Sequence, residues 1–110
     1  MIQLVEKKRE DIAALCREYG VKQLEIFGSA ATGDFNPETS DLDFIVEFLD
    51  YGPGISKRFL GFADAIEALF GRSADFLSNR KEITNPYLRR SVDATRELLY
   101  DATKDRQAIA

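Results

Sequence analysis

GSAATGDFNPETSDLDFIV, residues 28–46, decides how the rest of the chain is read. It opens with Gly28-Ser29 at the end of an apolar run, Leu24-Glu25-Ile26-Phe27. It closes with Asp41-Leu42-Asp43 at the head of a second run, Phe44-Ile45-Val46. Apolar run, small-residue turn and apolar run predict strand, turn and strand. Residues two apart on a strand leave the same face, so the Asp41 and Asp43 carboxylates point the same way. Such a pair repels, and one member is expected to hold a proton unless a cation neutralises it. Mg²⁺ takes hard oxygen ligands and is usually held by one or two carboxylates plus substrate phosphates. Gly28-Ser29 suits the phosphates. Glycine lets an anion approach the backbone closely, and Ala30-Ala31-Thr32 would open a short helix whose free N–H groups aim at it. The expectation is a nucleoside triphosphate held between Gly28 and Ser29 on one side and an Asp41/Asp43 metal clamp on the other. Alone, either element would read as a plain turn or a solvated pair of acids. Their placement at two strand ends carries the reading.

Before this stretch, residues 4–19 predict a helix. Val5, Ile12, Cys16 and Tyr19 fall at spacings of seven, four and three, with Leu15 beside them, and Lys7, Lys8, Arg9, Glu10 and Asp11 form a solvated face. Gly20 is the expected stop, and a first strand follows over about residues 23–27. Residues 33–40 form a polar loop, in which Ser40 would position the Asp41 backbone. On the second strand, residues 42–48, Leu42, Phe44, Val46 and Phe48 form the core face. Glu47 shares the aspartate face and reads as a surface residue or a support behind the ligands rather than a metal ligand. Residues 50–54, Asp-Tyr-Gly-Pro-Gly, form a turn-rich loop. Tyr51 there is either a plain loop aromatic or a platform for a base.

Residues 56–70 give the strongest helical pattern, with Phe59, Phe62, Ala63, Ile66 and Phe70 on one side, Ser56 as the expected N-cap and Gly71 as the stop. Residues 74–78 predict a short third strand whose only acid is Asp75. Asn85-Pro86 opens a last helix whose apolar side is Leu88, Val92, Thr95 and Leu99. From about Asp101 the chain turns polar and is expected to fray. The order is α β (short α) β α β α, with helices mainly on one face of a small mixed sheet and the other face open for a ligand.

Composition narrows the chemistry. The 110 residues suit one domain, 1–110, with enough burial for a core. A net charge of −4 disfavours a protein that tracks long nucleic acid. There is no histidine, which excludes a Ser-His-Asp triad and His-ligated metals, so any base is a carboxylate or a substrate group. Cys16 is the single cysteine and reads as a small core residue. No run reaches membrane-spanning length and the N-terminal residues lack a signal-peptide core, so a cytoplasmic protein is expected.

Gly-Ser, eleven residues, then Asp-x-Asp resembles the signature of the nucleotidyltransferase superfamily of the DNA polymerase β type, and at this length its minimal members, the MNT proteins. The spacing is one residue longer than the family's usual one, with the extra residue between Gly33 and Asp41, and Thr32 stands where members often have Arg. The resemblance covers nearly the whole chain. It implies the family's α/β (α+β) fold and a third acidic residue after the long helix in the context Gly-Arg-x-x-Asp, which here is Asp75. It also implies two Mg²⁺ held by Asp41, Asp43 and Asp75, with ATP as substrate. Small proteins of this kind resemble the antitoxin half of HEPN/MNT toxin–antitoxin pairs. In that family AMP passes from ATP to a tyrosine of a helical HEPN toxin, within a hetero-oligomer. Two other readings stay open: an antitoxin that acts by binding alone, against which the retention of all three acids speaks, and an enzyme for a small molecule or RNA end whose acceptor site a partner supplies.

Overall fold

The computed structural model describes residues 2–33, 36, 41–78 and 84–105. Ser40, and most of the segment that holds the extra loop residue, lie outside the described residues. The elements run α1 (Gln3–Glu6), α2 (Arg9–Tyr19), β1 (Val21–Phe27), α3 (Ser29–Thr32), β2 (Leu42–Phe48), α4 (Ile55–Phe70), β3 (Ala74–Leu77), α5 (Pro86–Thr95) and β4 (Glu97–Asp101). The sheet order is β3-β2-β1-β4. β1 is antiparallel to β2 and β4, while β2 and β3 are parallel. A mixed α/β architecture with a four-stranded mixed sheet results.

Alternation along β2 divides the two faces. Leu42, Phe44, Val46 and Phe48 are buried on one side with Leu24 and Ile26 of β1. Against them pack Phe62 and Ile66 of α4 and Ile12 and Cys16 of α2. Phe44 stacks on Phe76 at 5.3 Å between centroids, and Phe62 meets Phe48 and Phe76 edge-on. These large rings bury the most apolar area per residue and tie α4 to β2 and β3. Cys16 is buried and free, and burial pushes its thiol up to about 12.

Several sequence expectations are corrected. The first helix is two pieces, because Lys8 leaves helical geometry at φ −111° and ψ 14°. Val5 is fully buried and the Ile2 N–H donates to the Ala30 carbonyl at 3.0 Å, so the first turn is tied to α3 instead of continuing α2. The last helix stops at Thr95, and Leu99 belongs to an edge strand. Arg96 is already extended at φ −58° and ψ 140°, and residues 97–101 pair with the otherwise open edge of β1. Pairing satisfies those backbone groups and still buries Leu99 and Tyr100. Residues 102–105 are tied down rather than frayed; those after them lie outside the described residues. The Ala102 N–H donates to the Lys22 carbonyl, the Asp101 carboxylate accepts from the Thr103 N–H, and Arg17 pairs with Asp105 at 2.9 Å.

Helix caps differ in kind. Asn85 caps α5 as expected, its side-chain oxygen accepting from the Tyr87 and Leu88 N–H groups. α4 instead starts one residue before Ser56, with Gly54 at the N-cap and no side-chain cap. The face opposite α2 and α4 is partly covered: Val92 of α5 is buried against Phe27, Ile45 and Leu77.

Candidate functional site

The open remainder of that second face holds the acids. Asp43 of β2 and Asp75 of β3 are register partners on parallel neighbouring strands, so their side chains leave the sheet together. Asp41 directly precedes β2, two residues from Asp43 and on the same face by alternation. Asp41 and Asp75 are exposed; Asp43 is half-buried.

Local structure explains Asp75's position. α4 ends at Gly71, whose φ of 66° is the left-handed stop a glycine supplies cheaply. The Gly71 and Arg72 N–H groups both donate to the Glu67 carbonyl. The Glu67 carboxylate then accepts the Ala74 N–H at 2.8 Å, anchoring β3 one residue before Asp75.

Gly28 forms the other wall. At φ 74° and ψ −149° it occupies backbone space that is nearly glycine-only. A Cβ there would lie 3.0 Å from Asp43 Oδ2, so the turn packs directly on the half-buried carboxylate. The Gly28 carbonyl accepts from the Ala31 and Thr32 N–H groups as α3 begins. Its own N–H donates to Thr95 Oγ1 at 2.9 Å. That last bond alters the sequence expectation. Gly28 contributes a close approach of backbone to Asp43, while its amide proton is already committed within the protein. The sequence placed Thr95 only on the apolar side of the last helix, because nothing in its spacing ties it to a turn 67 residues away.

Burial raises the Asp43 carboxyl from its ordinary 3.8 to about 6, and the Asp75 and Asp41 charges add to the effect. The site thus concentrates negative charge around one group that resists ionising. Among the described residues no three acidic, histidine or cysteine side chains already form a metal cage. The donor set is nevertheless all oxygen, and a hard divalent cation would relieve the repulsion from Asp75 and Asp41 that adds to the effect of burial on Asp43.

A stability prediction follows for the metal-free protein. The folded state binds the Asp43 proton more tightly than the unfolded chain, so this group's penalty is complete above about pH 7. It shrinks as the pH falls from about 6 towards 3.8. Discounted for Asp43's partial exposure, the penalty is about 1 kcal/mol. In chelator, Asp43→Asn is expected to be about that much more stable than wild type at pH 7.5, with the gap closing by pH 4. Urea midpoints of both proteins at the two pH values check this; a gap that widens on acidification contradicts it.

Two further residues weighed in the sequence lie away from the acids. Tyr51 is turned to the far end of β2: its hydroxyl accepts the Phe48 N–H at 3.1 Å and its ring meets Phe48 edge-on. Phe48 is five residues along the strand from Asp43, about 16 Å, so Tyr51 is not a base platform for this site. Glu47, about 13 Å from Asp43 along the strand, pairs in register with Gln23 and takes no part.

Comparison with known proteins bears on the family and the fold. Residues 9–99 match the family model described as a nucleotidyltransferase domain. A Methanocaldococcus jannaschii protein named "Putative protein adenylyltransferase MJ1379" is 31% identical over 98 residues, 89% of this chain and 94% of that protein. A solved structure described as a "putative minimal nucleotidyltransferase" is similar with a TM-score of 0.67 at 30% identity, over 87% of this chain and 95% of that one. A crystal structure of a toxin–antitoxin with AMP-PNP is similar with a TM-score of 0.62 at 19% identity, over 90% and 75%. Another, of a tri-AMPylated Shewanella oneidensis HEPN toxin with an MNT antitoxin, gives 0.58 at 18%, over 94% and 77%. Those last two likenesses speak for the fold alone. A family match across residues 9–99, joined to a relative aligned along most of both chains, means that this chain belongs to the nucleotidyltransferase domain family, in its minimal form.

Proposed function

We propose that this nucleotidyltransferase is a Mg²⁺-dependent protein adenylyltransferase, a single minimal domain over residues 1–110 that acts in the cytoplasm. It moves AMP from ATP to a tyrosine of a helical, HEPN-type toxin and so serves as its antitoxin. The observation that carries the site is the in-register pairing of Asp43 with Asp75, with Asp41 beside them and the Gly28 turn against Asp43. The partner and the transferred group rest on the relatives: the similar archaeal protein is named an adenylyltransferase, and similar folds occur in toxin–antitoxin structures with AMP-PNP or an AMPylated toxin.

Asp41, Asp43 and Asp75 would hold the cations, and Ser29, in the turn that Gly28 shapes against Asp43, the β- and γ-phosphates. Bound Mg²⁺ would supply neutralisation of the carboxylates and of the charge that develops on the transferring phosphoryl group. Asp75 faces the acceptor and takes the proton of its hydroxyl. The acceptor oxygen bonds to the α-phosphorus, the bond from that phosphorus to the bridging oxygen breaks, and pyrophosphate leaves. The exposed positions of Asp41 and Asp75 leave room for a protein-borne hydroxyl.

Nucleotide binding tests the first half. A ligand that binds only the folded state stabilises it by about 2.7 kcal/mol at a hundredfold excess over Kd. ATP with Mg²⁺ is expected to raise the melting temperature by several degrees, ATP with chelator by less, and Ser29→Ala to lose part of the shift. An unchanged melting temperature at millimolar ATP and Mg²⁺ contradicts a nucleotide site formed by this chain.

A further inference from the structure

We infer that Thr95 is a positioning residue for the nucleotide turn, an inference that rests on the nucleotide reading above. Its hydroxyl donates to the Ser91 carbonyl at 2.7 Å, which uses its single proton. The oxygen lone pairs are therefore turned outward, and one accepts the Gly28 N–H at 2.9 Å. Gly28 is then held at both ends, its N–H by Thr95 and its carbonyl by the Ala31 and Thr32 N–H groups of α3. A residue in a nearly glycine-only conformation needs such bracing, because many other conformations are open to it. The brace sets how closely Gly28 approaches Asp43, and with it the distance between the phosphate side and the acidic side of the site.

Thr95 is itself firmly placed. Val92, one turn earlier, is fully buried against Phe27 and Ile45. The Arg96 N–H donates to the Val92 carbonyl, and Glu97 then pairs with Ile26 of β1. The last turn of α5 is thus pinned to the end of β1 from both sides. The remaining α5 side chains, from Pro86 to Arg90, are exposed and contribute nothing to this bracing. Two consequences follow. The Gly28 amide is occupied by Thr95 and does not bind phosphate; Ser29 and the turn beyond it make those contacts. Removing the Thr95 acceptor loosens nucleotide binding without touching any group that meets the nucleotide.

Thr95→Val keeps the branched shape and removes the acceptor; Thr95→Ser keeps the acceptor. Amide hydrogen exchange reads the brace directly. Gly28 is expected to be protected in wild type and Thr95→Ser, and to exchange at least tenfold faster in Thr95→Val. Calorimetric titration with ATP and Mg²⁺ reads the function: about tenfold weaker binding in Thr95→Val, restored to within about twofold by Thr95→Ser. Thr95→Ala is the second variant should valine disturb folding, and it is expected to behave as Thr95→Val does. Wild type that binds ATP together with a folded Thr95→Val or Thr95→Ala that binds it equally well overturns the role of Thr95 and leaves the nucleotide reading standing. Wild type that binds no ATP overturns both.

Discussion

Asp43→Asn is expected to lower the rate of AMP transfer at least about a hundredfold while the protein stays folded. The change removes a charge at nearly constant volume, on the face opposite Leu42 and Phe44. Loss of one preorganised electrostatic group commonly costs about 3 kcal/mol in the barrier. Asp43 is the carboxylate shared by both neighbours, flanked by Asp75 in register and by Asp41 two residues away. Asp41→Asn is expected to act in the same direction. The signature that separates a site residue from a structural one is the pairing of lost transfer with gained metal-free stability at pH 7.5. A variant that loses activity and stability together would point to a damaged fold instead. Single-turnover transfer rates for both variants, alongside urea midpoints for Asp43→Asn, decide between the two.

Gly28→Ala is expected to cost about 1–3 kcal/mol, the usual strain for a side chain forced into such backbone space. It adds a clash that strain alone does not contain, since the new Cβ meets Asp43 Oδ2 at 3.0 Å. Either the carboxylate turns away or the turn lifts from it, and both outcomes spoil nucleotide binding. Gly33→Ala is the matching control. Gly33 also has a positive φ, 95°, but nothing lies within 4 Å of its would-be Cβ. It is expected to lose some stability and to keep the ATP-dependent rise in melting temperature. Gly28→Ala should lose both. Retention of the ATP shift in Gly28→Ala would contradict the close packing of turn and carboxylate.

What the sequence disclosed tracks how local the controlling physics is. β2 was legible because its period of two survives burial of one face, and that same period placed Asp41 and Asp43 together. α4 was legible from its Phe and Ile spacing and from Gly71 at its end. The Asp75 position could be suspected from its lone acid in an apolar strand, but its partnership with Asp43 is a register fact, fixed by parallel pairing across a helix. β4 was illegible for a clear reason. Leu99 follows Thr95 by four residues and so mimics a helix face, whereas the strand exists because β1 offers an unpaired edge. The break after α1 depends likewise on a distant acceptor, the Ala30 carbonyl. Tyr51 was ambiguous because a loop aromatic carries no record of which ring it will meet; it meets Phe48. Thr95 shows the same limit at the site itself, as a hydroxyl whose partner lies 67 residues earlier.

Intact-mass spectrometry of the partner tests the central claim most directly. The cognate helical toxin is incubated with this protein, ATP and Mg²⁺, and its mass is read before and after. The account predicts a gain of one or more AMP units, mapping to tyrosine, absent with Asp43→Asn although that variant still binds the toxin. A partner whose mass is unchanged by wild type while its activity is still suppressed would contradict the enzymatic account and leave binding alone as the mode of neutralisation.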